Sequence, residues 1–325
     1  MTNHITHRLS GLEPDNLLAF MALLGLMRAL EEARPDWHSR ISWTINDLPL
    51  RPALQVPKAI NQVAVIDGVR EGLNRLAACH EFHGVKNLAL SPEYASDRLR
   101  QVSVNSGESC YTVDLWSALF SDAVIDRDGK KVEPTPLCLM LGQGHQYFLE
   151  RLASVPQQRM PPDRGTGRGK IGISESECLR EALFLPWARL DKTSSFRWDP
   201  EEDVRYAMRA RSPNDPKTKE TTQHGANRLA AIGLSVLTVV PRLQSGRPGL
   251  KILGGHWKRG TFLFEWPIWE QPTSLAGICA LLGHPHLNQS EIREMFGIVE
   301  RRRARRINSG RYMNFTRANS IIERD

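Results

Sequence analysis

Cysteine is scarce, paired cysteine is absent, and no stretch of the chain is apolar for long enough to cross a bilayer. The five cysteines stand at positions 79, 110, 138, 178 and 279, with no CxxC spacing. An odd, scattered set argues against a disulfide framework and for free thiols in a reducing cytoplasm. The longest apolar run, Leu17 to Met27, has eleven residues, well short of the roughly 20 that span a membrane. Acidic residues precede it and no small-residue cleavage site accompanies it, so neither a membrane span nor a signal peptide is expected. No internal repeat is present.

A catalytic constellation is missing as well. No spacing singles out a Ser–His–Asp set or a pair of carboxylates, so the sequence makes no case for an enzyme. Cys79, His80 and His83 lie together in CHEFH, but a structural zinc needs four ligands, usually as two spaced pairs. Only His284 and His286 are available at long range, so a helix end with exposed histidines is expected and no metal. The segment GTGRGK, Gly165 to Lys170, invites a phosphate-loop reading and fails it. Arg164 stands where a glycine is required, and Ile171 replaces the Ser or Thr that would hold magnesium. No cofactor is expected.

Acid is nearly absent from one region, and there the chain becomes informative. From Arg301 to Asp325 there are eight arginines, at 301, 302, 303, 305, 306, 311, 317 and 324, opposed only by Glu323 and Asp325. That segment carries +6 of the net +7, leaving +1 for the 300 residues before it. Tyr312 and Phe315 are interleaved with the arginines. Guanidinium groups stay charged and present a planar fork that suits phosphate, and the rings can stack on exposed bases. The segment is expected to be a basic edge that grips nucleic acid through Arg301, Arg302, Arg303, Arg305, Arg306, Arg311, Tyr312 and Arg317. A solvated tail without a partner is the bland alternative.

The remainder reads as α+β, with mixed sheet elements and several helices but no regular βα alternation. A helix follows Pro14, with Asp15 or Asn16 as cap, and is apolar nearly all round, as a helix inside a core or between partners would be. Short strands are expected at 40–45 and 52–56, and a helix over 58–78. Residues 112–118 suit helix or strand, 136–141 (PLCLML) reads as a buried strand, and 250–253 with 261–266 as a hairpin. The Pro-, Gly- and Arg-rich stretch 158–172 is taken as a loop or linker between residues 1–157 and 173–325. In it Arg164, Arg168 and Lys170 could reach a phosphate backbone. Gln143, in the GQGHQ turn, and Asn227 with Arg228, in the first turn of a helix after Gly225, are further candidate contacts. The alternating acids and arginines from Arg197 to Arg211 read as an internal ion-pair network.

The segments LSGLEPDNLLAFMALLGLMRALE, PLCLMLGQGHQYFLERL and SFRWDPEEDVRYA with GANRLAAIGL and VVP together resemble CRISPR-associated proteins. The likeness is to those encoded with the rarer type I effector systems, the subtype once labelled U and now grouped as G, and to their large-subunit-like members. The resemblance implies a non-catalytic subunit of a Cascade-like, RNA-guided surveillance complex. Such a subunit binds guide RNA and target DNA, helps to read the target-adjacent motif, docks on the other subunits and transiently meets a helicase–nuclease. Base pairing reads most of the sequence in such systems, while protein reads backbone and a short duplex motif. Two other classes stay open. One is a guide-processing endonuclease using His145 and Tyr147; the other is a protein-interaction subunit whose basic segment meets an acidic partner.

Overall fold

The computed structural model describes residues 4–104, 110–140, 147–165, 169–202, 221–244, 246–309 and 312–321. Its centre is helix α1, Leu17–Ala33. Asn16 caps it, its side chain accepting from the Ala19 amide at 3.3 Å. All but a few of its residues are buried, as a helix apolar on every side must be.

Two further helices reach α1 by direct backbone approach. Against α7, His224–Gly233, a β-carbon on Gly25 would lie 1.8 Å from the Leu229 carbonyl oxygen, and one on Gly233 would lie 2.1 Å from that of Met21. Against α2, Gln62–Ala77, a β-carbon on Gly72 would lie 1.9 Å from the Ala29 oxygen. Hydrogen in place of a methyl group is what lets these helices touch.

A three-stranded sheet caps one end: β1 (His4–Arg8), β2 (Arg40–Trp43) and β3 (Pro52–Pro57), in the order β1-β3-β2. Around the helices stand α3 (Pro92–Val104), α4 (Cys110–Leu119), the β4–β5 pair (Phe120–Ile125 and Val132–Pro134), α5 (Phe148–Gln157) and α6 (Glu175–Phe184). The ambiguous 112–118 stretch is thus helical. The PLCLML expectation is corrected: residues 136–140 are buried but form no strand. Cys138 turns back to the Thr135 carbonyl at 2.9 Å, and Leu137 offers its carbonyl to Trp198 Nε1 at 3.0 Å. An apolar run reports burial, not conformation.

The second half builds a seven-stranded antiparallel sheet. Its strands are β6 (Val239–Gln244), β7 (Arg247–Ile252), β8 (Gly255–Lys258), β9 (Thr261–Trp269), β10 (Ile298–Ser309), β11 (Tyr312–Phe315) and β12 (Asn319–Ser320). They run in order as a meander, with β12 also pairing with β10. Pro241 sits inside β6, an edge strand, where a missing amide is tolerated. Between β9 and β10 come α8 (Leu275–Gly283) and α9 (Ser290–Met295). One face of the sheet packs on α1, where Phe20 stacks on Trp266 at 5.1 Å and tilts against Phe264 at 6.3 Å. The chain on either side of 158–172 therefore contributes to one hydrophobic core. The class is α+β.

Candidate nucleic-acid interface

The arginine run is a strand, and the period of a strand sorts its side chains. In register, Arg301 faces Pro267, Arg303 faces Glu265 and Arg305 faces Leu263. Alternate residues point to opposite faces, so Arg302, Ala304 and Arg306 share the inner face. Ala304 is fully buried there. Arg306 lies 4.8 Å from the Trp257 ring centroid and 5.8 Å from that of Phe262. It donates to the Pro136 carbonyl at 3.0 Å, and burial lowers its pKa from the usual guanidinium value. Arg302 donates to Glu300 at 2.9 Å. Arg306 ties this end of β10 to the body through Pro136, and Arg302 is paired within its own strand; neither lies on the outer face.

The outer face is different. Continuing the register from strand to strand places Arg242, Lys251, His256, Lys258, Glu265, Arg301, Arg303 and Arg305 on one surface. Six Arg or Lys side chains of the described residues thus meet one acid. Glu265 accepts from Arg301 at 2.5 Å and from Arg303 at 2.6 Å, which splays those guanidinium groups side by side over β9. Its carboxylate also lies 3.6 Å from His256. Burial is the main cause that lowers the His256 pKa; Arg303, Lys258 and Arg301 push the same way, against Glu265. The imidazole is therefore neutral near pH 7. Arg242, Lys251, Lys258 and Arg305 are exposed. Only the register shows that charges from five strands share one plane, and this is why Arg242, Lys251, His256 and Lys258 escaped the sequence reading.

Other candidate residues are placed elsewhere, for identifiable reasons. Arg317 is spent on three acids: Glu13 and Asp15 at 3.0 Å and Glu201 at 2.8 Å. It ties the β11–β12 connection to the start of α1. Arg164 is not a free loop cation: it bridges Glu181 and the buried Asp191, each at 2.7 Å, and its backbone pairs with Ile171. These acids raise its pKa. Arg228 is fully buried, bonded to Glu175, Asn74 and the carbonyls of Pro156 and Arg159 at 2.9–3.1 Å. Asn227 is buried beside it, donating to Thr222 at 2.7 Å. Both belong to the core and are withdrawn as contacts. Lys170 is exposed. Gln143, His145, Arg168 and Arg311 lie outside the described residues, as does the side chain of Tyr312.

The histidine expectation also changes. His80 is fully buried, bonded to Tyr111 Oη at 2.6 Å and to the Leu152 carbonyl at 2.8 Å; His83 is exposed. Burial lowers the His80 pKa to about 4. The acid-rich stretch is partly visible: Asp199, fully buried, accepts from Arg189 at 2.7 Å and from Asn16 at 3.0 Å. Residues 203–211 of that network lie outside the described residues.

Among the described residues no group of three His, Cys, Asp or Glu side chains is arranged to hold a metal ion. No helix there is long and apolar enough to cross a membrane. Compared with known proteins, the chain matches no family model, no curated protein and no solved structure.

Proposed function

We propose that the chain is a non-catalytic, nucleic-acid-binding subunit, and that the outer face of its seven-stranded sheet is the surface that holds the strand. The observation that carries this reading is the one-sided charge of that face, six Arg or Lys against Glu265, on a chain whose net charge is only +7. A rigid sheet fixes the backbone spacing of its cations, so no segment of the main chain has to order when a polyanion arrives. The setting we propose is a type I CRISPR surveillance complex of the U/G subtype, with guide RNA and target DNA as ligands. The likeness of the sequence segments supports that setting, and the charged face is compatible with it.

The test is the salt dependence of binding to single-stranded DNA by the full chain. Each phosphate contact contributes about 0.7 to the slope of log K against log salt. Replacing Arg242, Lys251, Lys258 and Arg305 by alanine removes exposed side chains that make no core contact. The slope is expected to become shallower by about 2 to 3, with the thermal midpoint unchanged. An unaltered slope would reject the face as the binding surface. Loss of binding to an acidic protein, with DNA binding intact, would favour the interaction subunit instead.

A further inference from the structure

At one end of the charged face the sheet is hollowed into a recess of about 390 Å³, lined in part by Arg242, Lys251, His256, Glu265, Arg301 and Pro285. Strands β6 to β10 form its floor, and the connection from α8 to α9 forms a wall. That wall is held by the backbone of Gly254, which donates to the Leu282 carbonyl at 3.3 Å and accepts from the Glu265 amide at 2.7 Å. Gly254 sits at φ +72°, and a β-carbon there would lie 2.8 Å from the Glu265 carbonyl oxygen. Only glycine lets the connection lie this close to the sheet. The volume lies in the range of small-ligand sites, roughly 300–1,000 Å³.

The charges in the recess are not equivalent. Arg301 is engaged by Glu265 at 2.5 Å, and His256 is neutral. Arg242 and Lys251 are both exposed and form no ion pair among the described residues. Two uncompensated positive charges therefore face a cavity walled at one side. A phosphodiester within a strand carries one negative charge, whereas a terminal phosphomonoester carries about −1.5 to −2 near pH 7. The second matches the pair, and a strand end can enter where a through-running strand would meet the wall. Resting on the reading of the sheet face as a nucleic-acid surface, we infer that this recess anchors the phosphorylated end of a bound strand, with Arg242 and Lys251 as its phosphate ligands.

The experiment compares single strands of about 20 nucleotides, labelled internally, carrying a 5′-phosphate, a 3′-phosphate or hydroxyls at both ends. Binding to the full chain is followed by fluorescence anisotropy. The wild-type chain is expected to prefer one phosphorylated end by about tenfold over the hydroxyl strand, as charge-assisted bonds of this kind would give. In the Arg242→Ala/Lys251→Ala variant that preference should vanish, while the hydroxyl strand still binds through the remaining cations of the face with a salt slope shallower by about 1.4. Equal binding of all three strands by the wild-type chain would overturn the inference and leave the sheet-face reading standing. So would a preference that survives in the double variant. No binding of any strand would sink both. Adenosine monophosphate is the remaining arm: if it bound as tightly as the phosphorylated strand, the site would belong to a free nucleotide and the strand-end assignment would fall.

Discussion

Glu265 is the residue whose removal separates a binding surface from a structural ion-pair array. Its carboxylate, about 11% exposed, holds Arg301 and Arg303 together. Glu265→Gln keeps the shape, removes the only acid on the described face and releases at least one guanidinium. Two charge-assisted bonds are weakened, each worth about 1.5–3 kcal/mol, and the amide oxygen retains part of one. A net loss of about 2 kcal/mol follows. With an unfolding entropy of about 2.1 cal/mol/K per residue, a chain of 325 residues should lose about 3 °C in its thermal midpoint. Binding should move the other way. One or two added phosphate contacts steepen the single-strand salt slope by about 0.7–1.4, a gain of about 5- to 25-fold over one decade of salt. The assays are scanning calorimetry and fluorescence titration between about 0.05 and 0.5 M salt. A variant that binds DNA more weakly, or with an unchanged slope, would refute the reasoning.

Other substitutions separate fold from binding. Arg164→Ala leaves the buried Asp191 without its guanidinium partner and should cost about 3 kcal/mol in urea unfolding, with no change in the salt slope of DNA binding. Gly25→Ala presses a methyl group into the Leu229 carbonyl, where only backbone can yield. It should destabilise by about 3 kcal/mol, seen as a lower urea midpoint. His80 and His224 are each held neutral by burial, with pKa values lowered to about 4 from 6.5. The unfolded chain takes up those protons first, so their stabilising effect is complete above pH 6.5 and is lost as pH falls towards 4. The limit is about 3 kcal/mol per histidine. His80→Gln should remove about half of that dependence in urea midpoints measured from pH 7.5 to 4.5.

Some of this was legible in the residues. Helix α1 could be read because it is apolar on every side and has a side-chain cap, both local signals. The charge concentration after residue 300 was equally plain, but its form was not. Five arginines in six positions resemble a solvated tail, and only pairing with β9 and β11 shows a strand whose alternate arginines do different work. Arg306 illustrates the difference: its ring partners, Trp257 and Phe262, come from strands some 45 residues earlier. Arg228 misled for the opposite reason. A cation in a first helical turn looks like a phosphate ligand, yet it ends in the core because Glu175, Asn74 and two carbonyls converge on it. The glycine contacts of α1 with α2 and α7 were also hidden, since a helical glycine means close approach only once its neighbour is known.

Lysine acetylation footprinting of the full chain, with and without a saturating single strand, tests the central claim most directly. Lys251 and Lys258 lie on the charged face, whereas Lys58 and Lys86 lie in the first half of the chain, outside the seven-stranded sheet. Protection of Lys251 and Lys258, with Lys58 and Lys86 as reactive as in the free chain, is the expected result. Undiminished reactivity of Lys251 and Lys258 under a bound strand would contradict it.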